Sequence, residues 1–600
     1  MTIRFKRIFQ KVFLILLFFV MAFPAFGAQE PSISWTTWTA DLFQKAKKEN
    51  KFVLLDLEAV WCHWCHVMDE TTYQNEKVVE LIGSKYIAVR VDQDSNPELS
   101  NRYEDYGWPA TIVFGPDGNE IVKRRGYIAP QIMASLLEAI IADPTPGPSV
   151  LPEQEIKPAE SAFLKEEQKK LIEEDHLSLY DKENGGWGSI HKLIDSDQTE
   201  LALLRAQAGN KQEEEMGKKT LDAALNLLDT EWGGFYQYSD EANWKSPHYE
   251  KIMSIQAQYI QIYGLAYGLF AKTEYLHAAE ITGEYIKNFL MFEQGAFYTS
   301  QDADLDSKTL GHDYYSLKND ERRKLGMPRI DKHIYARENG WVISAFCVLY
   351  DVTHNREWLS GAEKAAKWIL ANRKLEAGGF SHGEEEPSIL FLGDTLAMGR
   401  AFLALYASTG ERSWLGEAET AAKFTEKNFK NEGSGFVTSF SRNGNSSKPV
   451  KNVDENIALA RFFNLLSAYS GNADYKKSAE HIMLYLGSSD LLKSRHFLAG
   501  ILLTDTELSG EPIHITIVGP KDDPNAAALH DAALGYPSRY KRVEWWDKRE
   551  GPMPNPDVKY PELPKPAAFA CASKTCSLPV FDPDKVVRQV ERLMRREKAA

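Results

Sequence analysis

A glycine–aromatic loop signal recurs through the middle of this 600-residue chain. Its aromatic residues lie 48, 62, 83 and 56 positions apart along the sequence. Self-similarity on this scale indicates stacked helical pairs, because such a pair buries its apolar face only against its neighbours. The five occurrences are Gly185-Gly186-Trp187, Gly233-Gly234-Phe235, Gly295-Ala296-Phe297, Gly378-Gly379-Phe380 and Gly435-Phe436.

The segments between these loops have helical periodicity. Apolar residues recur at steps of three and four, as in Ala278, Ile281 and Tyr285, which is the pattern of an amphipathic helix. The 83-residue interval leaves room for one disguised unit near Asn339-Gly340-Trp341. About six helix pairs over residues 160–505 predict an (α/α)6 toroid, with an open solenoid as the alternative.

Both flanks of the helical region have α/β character. Short β-rich runs, of which Phe52–Leu57 is the first, alternate with amphipathic stretches and predict an α/β domain over residues 29–142. A cluster of prolines predicts a stiff, extended linker over residues 143–159. After the toroid, a second and smaller α/β region is expected over residues 506–600.

Composition excludes several classes of protein. Apolar residues make up 43% of the chain, which is a globular level and excludes a disordered protein. The formal net charge of -15 argues against nonspecific nucleic-acid binding. Five cysteines are too few for a disulfide scaffold. Four of them form the pairs Cys62/Cys65 and Cys571/Cys576, whereas Cys347 lies on an apolar helical face and is predicted to be a buried core thiol.

The N-terminus has the features of a secretory signal. Basic residues precede the short apolar run Val12–Phe23, and small residues follow at Gly27 and Ala28. Such a run spans a bilayer poorly, since about 20 apolar residues are needed. We therefore predict a cleaved signal peptide at residues 1–28, no stable membrane span after cleavage, and a periplasmic or secreted protein in which thiols can form stable disulfides. An uncleaved anchor is the alternative.

The motif Trp61-Cys62-His63-Trp64-Cys65-His66 carries the sharpest chemical signal. Two thiols separated by two residues can close a small disulfide when a helix begins at the first. Amides at the helix N-terminus would stabilise the Cys62 thiolate and make it the attacking sulfur. Cys65, one turn later, would resolve the mixed disulfide. His63 is expected to stabilise the thiolate further and raise its oxidising tendency, and Trp61 and His66 are supporting residues.

Neighbouring residues support a redox-active dithiol. Asp56 lies six residues before Cys62, at the end of an apolar run, and is expected to assist proton transfer. Pro109 precedes another β-rich run, where a cis-proline would face the sulfurs and shape the contact with substrate. Three alternatives stay open, namely c-type haem attachment, a zinc site of both cysteines with His63 and His66, and a structural disulfide. We predict no metal and no cofactor.

The segment Cys62-His63-Trp64-Cys65-His66-Val67-Met68 resembles the signature of the spermatogenesis-associated protein 20-like family. The resemblance extends along most of the mature chain and includes Gly233-Gly234-Phe235, Pro247-His248-Tyr249-Glu250-Lys251 and Gln301-Asp302-Ala303-Asp304. It implies a thioredoxin-like domain joined to a six-hairpin α/α toroid. The chain departs from the family pattern at Glu338-Asn339-Gly340-Trp341, where relatives have Trp-Asn-Gly-Leu.

The predicted toroid carries a second candidate site. His248, Glu250, Asp302 and Asp304 are polar residues on or beside its loops. The toroid resembles six-hairpin glycosidases and sugar epimerases at the level of the fold. Two carboxylates could act there as acid and base on a glycoside, or a histidine could abstract a sugar proton. Surface ion pairs and helix caps are the structural alternatives.

Together, these features predict a multidomain protein with a thioredoxin-like α/β domain, an (α/α)6 toroid and a small C-terminal α/β region. The leading hypothesis is a thiol–disulfide oxidoreductase whose toroid recruits a protein thiol or disulfide substrate. The competing hypothesis is carbohydrate processing or glycan binding in the toroid, with a structural Cys62–Cys65 pair. Cys571–Cys576 is predicted to be a structural disulfide, with a role as redox partner of the first pair as the alternative.

Overall fold

The computed structural model describes most of the chain, namely residues 32–151, 156–384, 387–442, 448–572 and 575–599. The predicted signal peptide at residues 1–28 lies outside these ranges, and so does part of the predicted linker. Within them, no helix is both long enough and apolar enough to cross a membrane.

The N-terminal domain is thioredoxin-like, as predicted, and is built on a four-stranded sheet. Its strands are β1 (Phe52–Glu58), β2 (Tyr86–Asp92), β3 (Ala110–Phe114) and β4 (Glu120–Arg125). The strand order is β2-β1-β3-β4, with β1 parallel to β2 and antiparallel to β3. Its helices are α1 (Leu42–Glu49), α2 (His63–Thr71), α3 (Glu76–Lys85), α4 (Pro97–Tyr103) and α5 (Pro130–Ala142).

Both faces of this sheet are covered, so the central strand β1 is apolar almost throughout. Successive side chains of a strand point to opposite faces. Leu54 packs in the apolar cluster that contains residues of α3 and α5. Leu55 packs in the cluster that contains residues of α1 and α4. Asp56 interrupts this apolar strand and is nevertheless buried.

The helical region forms a closed ring of six helix pairs. Its outer helices are α6 (Glu166–Ser178), α8 (Lys211–Ala224), α10 (Thr273–Phe289), α14 (Arg356–Asn372), α16 (Arg412–Phe429) and α18 (Ala473–Leu486). Its inner helices are α7 (Ser196–Gln207), α9 (Met253–Phe270), α13 (Ala336–Thr353), α15 (Leu392–Thr409), α17 (Val453–Ser470) and α20 (Ala499–Ser509). Each inner helix contacts the next, and α20 contacts α7. The (α/α)6 toroid is therefore confirmed, and the open solenoid is excluded.

All five predicted glycine–aromatic loops join an outer helix to the next inner helix. In each loop the aromatic residue forms an antiparallel bridge to a residue six or seven positions earlier, as in Leu228 with Phe235. The glycines permit the tight turn. At Gly233, φ is +79° and an added Cβ would lie 2.1 Å from the carbonyl oxygen of Ile281, so no other residue fits.

Three of these loops are held by an amide side chain of the inner helix that follows. Asn456 accepts a hydrogen bond from the backbone amide of Phe436 (2.8 Å) and donates one to its carbonyl (2.9 Å). Gln256 makes the same two bonds to Phe235. Asn339 makes them to Phe297. The amide replaces the partners that the buried loop backbone would otherwise lack.

The 83-residue interval between two loop aromatics hides no further unit, so that prediction is wrong. Gly340 lies inside α13, where an added Cβ would come within 2.5 Å of the Ala397 backbone. This glycine marks a close approach of two helices and not a loop. The extra length is an insertion before α13 that contains β8 (Ser300–Gln301), α11 (Gly311–Tyr315), α12 (Asn319–Leu325) and β9 (Ile330–Asp331).

Short elements connect the remaining helices. The strands are β5 (Tyr238–Ser239), β6 (Pro247–His248), β7 (Lys251–Ile252), β10 (Ile389–Phe391) and β11 (Ser439–Ser441). β7 pairs with β8, and β8 pairs with β9, in a small antiparallel sheet. The helix α19 (Ser489–Ser494) lies between α18 and α20.

The C-terminal region has the strand order of the thioredoxin-like domain. Its elements are β12 (Ile513–Val518), α21 (Pro524–Leu534), β13 (Lys541–Trp546), β14 (Ala567–Ala572), β15 (Thr575–Cys576) and α22 (Val586–Ala599). The order is β13-β12-β14-β15, with β12 parallel to β13 and antiparallel to β14. Strand order and strand sense match those of β2-β1-β3-β4. The predicted small α/β region is thus a second unit of thioredoxin-like topology.

The other three cysteines form one disulfide and one free thiol. Cys571 and Cys576 face each other across β14 and β15 and are joined by a disulfide. The bond closes a single hairpin, which suits the predicted structural role. Cys347 is a free, buried thiol on α13.

The two α/β domains cover opposite ends of the toroid. Inner helices begin on the thioredoxin-like side, where Asn452, the N-cap of α17, donates a hydrogen bond to Glu104 (2.7 Å). They end on the C-terminal side, where the carbonyl of Gly410, after α15, accepts a hydrogen bond from Lys521 (2.8 Å). The open centre of the ring therefore lies between two domains.

We expect Asn456→Ala to lower the free energy of unfolding by about 2–4 kcal/mol, because two buried backbone groups of Phe436 lose their partner and each costs about 1–3 kcal/mol. Asn372→Ala, at the exposed end of α14, is the control and should change it by less than about 0.5 kcal/mol. Urea unfolding followed by circular dichroism compares the two variants. Equal changes in the free energy of unfolding for the two variants would contradict the role assigned to Asn456.

Candidate functional site

Helix α2 begins at the disulfide. Cys62 is its N-cap residue, and the backbone amide of Cys65 donates a hydrogen bond to the Cys62 sulfur (3.1 Å). The two cysteines are joined by a disulfide, and each is only 3% exposed. The unpaired amides of a helix N-terminus attract negative charge, so this position favours a thiolate at Cys62.

The peptide bond between Trp108 and Pro109 is cis and lies directly before β3. The Trp108 side chain lies beside the disulfide, where it packs against an apolar cluster of Ala59, Trp61, Cys62 and Cys65. Ile252 of the toroid packs against the same cluster. The role of Pro109 in contact with substrate stays a prediction.

Toroid residues meet the first residue of α2. Nδ1 of His63 lies 2.6 Å from a carboxylate oxygen of Asp304. The backbone amide of His63 donates a hydrogen bond to Oε1 of Glu250 (3.3 Å). One amide of the helix N-terminus is therefore satisfied by a carboxyl of the other domain.

Further contacts extend this group. Nε2 of His66 lies 3.6 Å from Asp302, and Nδ1 of His248 lies 3.9 Å from Glu250. The sequence analysis predicts a dithiol site and a separate toroid site, whereas the structure brings their residues together. We call this group the docking cluster, which consists of His63, His66, His248, Glu250, Asp302 and Asp304.

A short strand pair explains why two acidic residues of the cluster meet. Glu250 directly precedes β7 and Asp302 directly follows β8, and Lys251 pairs with Gln301 in the antiparallel register. The two acids therefore leave the pair at the same edge. Lys251 is fully buried and donates a hydrogen bond to Asp229 (2.7 Å). Because Glu250 is also buried, the alternative of an ordinary surface ion pair does not apply to Glu250 and Lys251.

Three groups of the docking cluster, Glu250, Asp302 and His63, have raised pKa values. Burial raises the pKa of Glu250 to about 7 and the pKa of Asp302 to about 6. The hydrogen bond with Asp304 raises the pKa of His63. The other carboxyl oxygen of Glu250, Oε2, is buried with no hydrogen-bond partner among the described residues. A proton can therefore be gained or lost next to the disulfide.

A second set of domain contacts, which the sequence analysis missed, centres on Asp94. Its carboxylate accepts a hydrogen bond from Nε1 of Trp61 (2.7 Å), and its backbone carbonyl accepts one from Nε2 of His382 (2.6 Å). Nδ1 of His382 lies 2.9 Å from Asp394 at the start of α15. Trp61 thus joins the cysteine motif to the toroid. The acidic Asp94 just after an apolar run is the sequence signal for this contact.

Asp56 lies in a separate group of charges. Arg90 is 3.0 Å from Asp56 and 3.2 Å from Glu58, and it also contacts Asp69. Burial raises the pKa of Asp56 to about 6 although Arg90 opposes the rise. The carboxyls of Asp56, Glu58 and Asp69 lie close enough together to bind a metal ion, but the Arg90 guanidinium contacts all three. Proton transfer by Asp56 stays a prediction.

The residue types of a metal site also occur in the docking cluster. Ligand atoms of His66, Asp302 and Asp304 lie within 4.8 Å of one another. Asp304, however, already accepts hydrogen bonds from His63 and from the amide of Gly311 (2.7 Å). Both cysteine sulfurs are in the disulfide, so neither is available as a zinc ligand or for attachment of haem. The absence of a metal stays a prediction.

The toroid also contains a polar cavity of about 920 Å³ on its thioredoxin-like side, which we call the central chamber. None of the four predicted toroid-site residues is among the described residues that line it. Its charged lining includes Asp195, Asp197, Arg400 and Asp454. Sequence reasoning missed these residues because they belong to inner helices and not to the recurring loops.

Comparison with known proteins agrees with this architecture. The family model Thioredox_DsbH, described as a protein of unknown function (DUF255), matches residues 26–140. Spermatogenesis-associated protein 20 of Mus musculus is 26% identical over 310 residues, which are 45% of this chain and 39% of that protein. The resemblance to spermatogenesis-associated protein 20 is confirmed. The matched segment covers about two-fifths of the length of the Mus musculus protein.

Two further likenesses concern single domains. The thiol:disulfide interchange protein DsbD of Pseudomonas fluorescens is 33% identical over 78 residues, which are 12% of this chain and 13% of that protein. A solved D-mannose isomerase has a TM-score of 0.44 and 12% identity, covering 57% of this chain and 97% of that chain. The assignment of the toroid rests on its own helix contacts and not on that likeness.

Docking of the two domains should strengthen as the pH falls from 8 to 6. Glu250, Asp302 and His63 have pKa values raised in the docked state, so this state binds more protons and loses stability as the pH rises through those values. Hydrogen–deuterium exchange, corrected for intrinsic rates, should show the first turn of α2 better protected at pH 6. Glu250→Gln should weaken this dependence. Equal protection of the first turn of α2 at both pH values would contradict the prediction.

Proposed function

We propose that this chain is a thiol–disulfide oxidoreductase whose toroid holds and adjusts the redox site. The observation that carries the proposal is the Cys62–Cys65 disulfide at the N-terminus of α2, beside the cis bond before Pro109. The likeness of this domain to DsbD, a thiol:disulfide interchange protein by name, supports it. The proposed substrates are disulfides of other proteins.

The proposed exchange has two steps. In the reduced protein, the Cys62 thiolate attacks one sulfur of a substrate disulfide, forms a mixed disulfide and releases the other substrate sulfur as a thiolate. The Cys65 thiolate then attacks the Cys62 sulfur, which restores the Cys62–Cys65 bond and releases the second substrate thiolate. A dithiol protein must reduce the bond again, and two electrons pass through the site in each cycle.

The docking cluster favours this reducing direction. The sequence analysis expects His63 and the amides of α2 to stabilise the Cys62 thiolate and make the site oxidising. Instead, Asp304 pairs with His63, and Glu250 takes the amide of His63. Negative charge at the helix N-terminus opposes a thiolate there, so the disulfide is stabilised relative to the dithiol.

Access to the disulfide requires movement of the thioredoxin-like domain. Both cysteines are buried, and Ile252 of the toroid packs against their cluster. Trp64, within the same motif, is 41% exposed. We propose that a protein substrate first contacts this indole and reaches Cys62 when α2 leaves the toroid.

The proposal places this reaction outside the cytosol. It rests on the sequence of residues 1–28, with a basic start, a short apolar run and small residues at its end. Detection of the processed N-terminus by mass spectrometry of the protein from its native cell would test it.

Glu250→Gln should raise the reduction potential of the Cys62–Cys65 couple by about 20–40 mV at pH 8, because removing a neighbouring negative charge stabilises the thiolate by about 1–2 kcal/mol. At pH 6, where Glu250 with its raised pKa is mostly protonated, wild type and variant should agree. Equilibration with glutathione buffers measures both values. Glu241→Gln, an exposed residue of the same loop region, is the control. A pH-independent difference, or none, would contradict the assigned role.

Cys65→Ala should trap a mixed disulfide between Cys62 and a substrate protein, since the resolving thiolate is missing. Non-reducing electrophoresis should show adducts that reductant removes and that the double variant Cys62→Ala/Cys65→Ala lacks. Cys347→Ala, which removes only a buried free thiol, should leave the wild-type pattern unchanged. If wild-type protein reduces no disulfide substrate and Cys65→Ala forms no adduct, thiol–disulfide exchange is not the function.

A further inference from the structure

The central chamber is built from three parts of the chain. Its roof consists of thioredoxin-like residues, namely Asn101, Arg102, Glu104 and Asp105. Its walls combine inner helices with connecting residues such as Lys451 and Arg495. Its floor consists of residues that also line a smaller cavity of about 210 Å³ beyond it, among them Gln261, Arg400, Arg461 and Arg539. Three guanidinium groups therefore meet at the bottom of a polar cavity.

Two of the three guanidinium groups have partners. Arg461 donates hydrogen bonds to Glu200 (2.5 Å) and to Glu507 (2.6 Å). Arg539 donates to Glu200 (2.8 Å) and to Gln261 (2.8 Å). Asp197 lies 3.8 Å from Arg461. The carboxylates of the floor are thus already engaged by two of the arginines.

Arg400 differs from its neighbours. Its side chain has no hydrogen bond and no ion pair with any residue in the described part of the chain. Burial and the positive charges of Arg539 and Arg461 lower its pKa to about 10, and Glu200 and Asp197 offset only part of this. An unpaired guanidinium among like charges is unfavourable until an anion joins it.

The walls of the chamber suit a polyhydroxylated molecule. Ser196, Gln258 and Asp454 offer hydrogen-bonding groups for hydroxyls, and Trp341 offers an aromatic surface. A volume of about 920 Å³ lies within the range of small-molecule sites, about 300–1,000 Å³. The walls also carry basic groups, among them Lys451 and Arg495, and Arg495 pairs with Glu104 and Asp454. The chamber therefore offers the Arg400 guanidinium at its floor and groups of mixed charge along its walls.

We propose that the central chamber binds a small polyhydroxylated anion, a sugar acid or a sugar phosphate, whose carboxylate or phosphate is held by Arg400. The planar guanidinium can donate two parallel hydrogen bonds to either group. This inference does not depend on thiol–disulfide exchange, because none of the residues involved belongs to the docking cluster.

Isothermal titration calorimetry on the full oxidised chain tests the proposal with D-glucuronate, glucose 6-phosphate, glucose and inorganic phosphate. We expect glucuronate or glucose 6-phosphate to bind at least about tenfold more tightly than glucose, since a charge-assisted pair to the half-buried Arg400 is worth at least that factor. The stronger of the two identifies carboxylate or phosphate as the preferred group. Inorganic phosphate should bind more weakly than glucose 6-phosphate.

Arg400→Gln should abolish the preference for the charged sugar, and Arg588→Gln, on the exposed face of α22, should retain it. Without ligand, Arg400→Gln should melt no earlier than wild type, because the substitution removes a positive charge that Arg539 and Arg461 repel. Arg400→Lys keeps the charge but not the paired donors, so it should bind the charged sugar several-fold more weakly than wild type. This variant replaces Arg400→Gln in the test if the glutamine variant does not fold. Equal binding of glucose and both charged sugars, no binding of either up to about 10 mM, or an unchanged preference in Arg400→Gln would overturn the proposal.

Discussion

The N-terminal amides of α2 meet the buried carboxyl of Glu250, and the arrangement of the two domains around the disulfide depends on that contact. A helix N-terminus has unpaired amides and attracts negative charge. In a free thioredoxin-like domain the Cys62 sulfur would be the group that uses this charge preference. Here the Glu250 carboxyl and the Asp304–His63 pair share it. The same contact therefore joins the two domains beside the disulfide, and in the proposed exchange it would weaken the stabilisation of the thiolate.

The direction of the inner helices organises the rest of the molecule. Every inner helix follows an outer helix, so all six run the same way, and their N-terminal ends collect on one side of the ring. Carboxylates of the thioredoxin-like domain such as Glu104 meet those positive ends. On the opposite side, Lys521 meets the carbonyl of Gly410 after α15. Complementary charge at both ends fits the helix dipoles and leaves the central chamber between two domains.

Local patterns predicted much of this architecture. The glycine–aromatic loops and the helical periodicity indicated six helix pairs. Each loop repeats a tight glycine turn that is followed by an aromatic residue in an antiparallel bridge. Gly340 misled the prediction, since a glycine also permits two helices to approach closely, as α13 and α15 do. The C-terminal strand order was not predicted, because the pairing of β12, β13 and β14 is a long-range choice. The N-terminal sheet is also built from distant strands, but there the motif around Cys62 and Cys65 indicated the fold.

The sequence by itself determined the dithiol motif, the proline before β3, the helix pairs and the acidic residues beside the toroid loops, because each depends on neighbouring residues. Only the tertiary structure decided that the helix pairs close into a ring, because closure needs α20 to contact α7. Only the tertiary structure decided that Glu250 and Asp304 face the cysteine motif and do not line the central chamber. It also decided that Arg400 has no hydrogen bond or ion pair with the residues that the structure describes. Such placements depend on how separate domains and helices meet, and contacts between residues almost 200 positions apart, such as His63 with Glu250, leave no periodic trace in the chain.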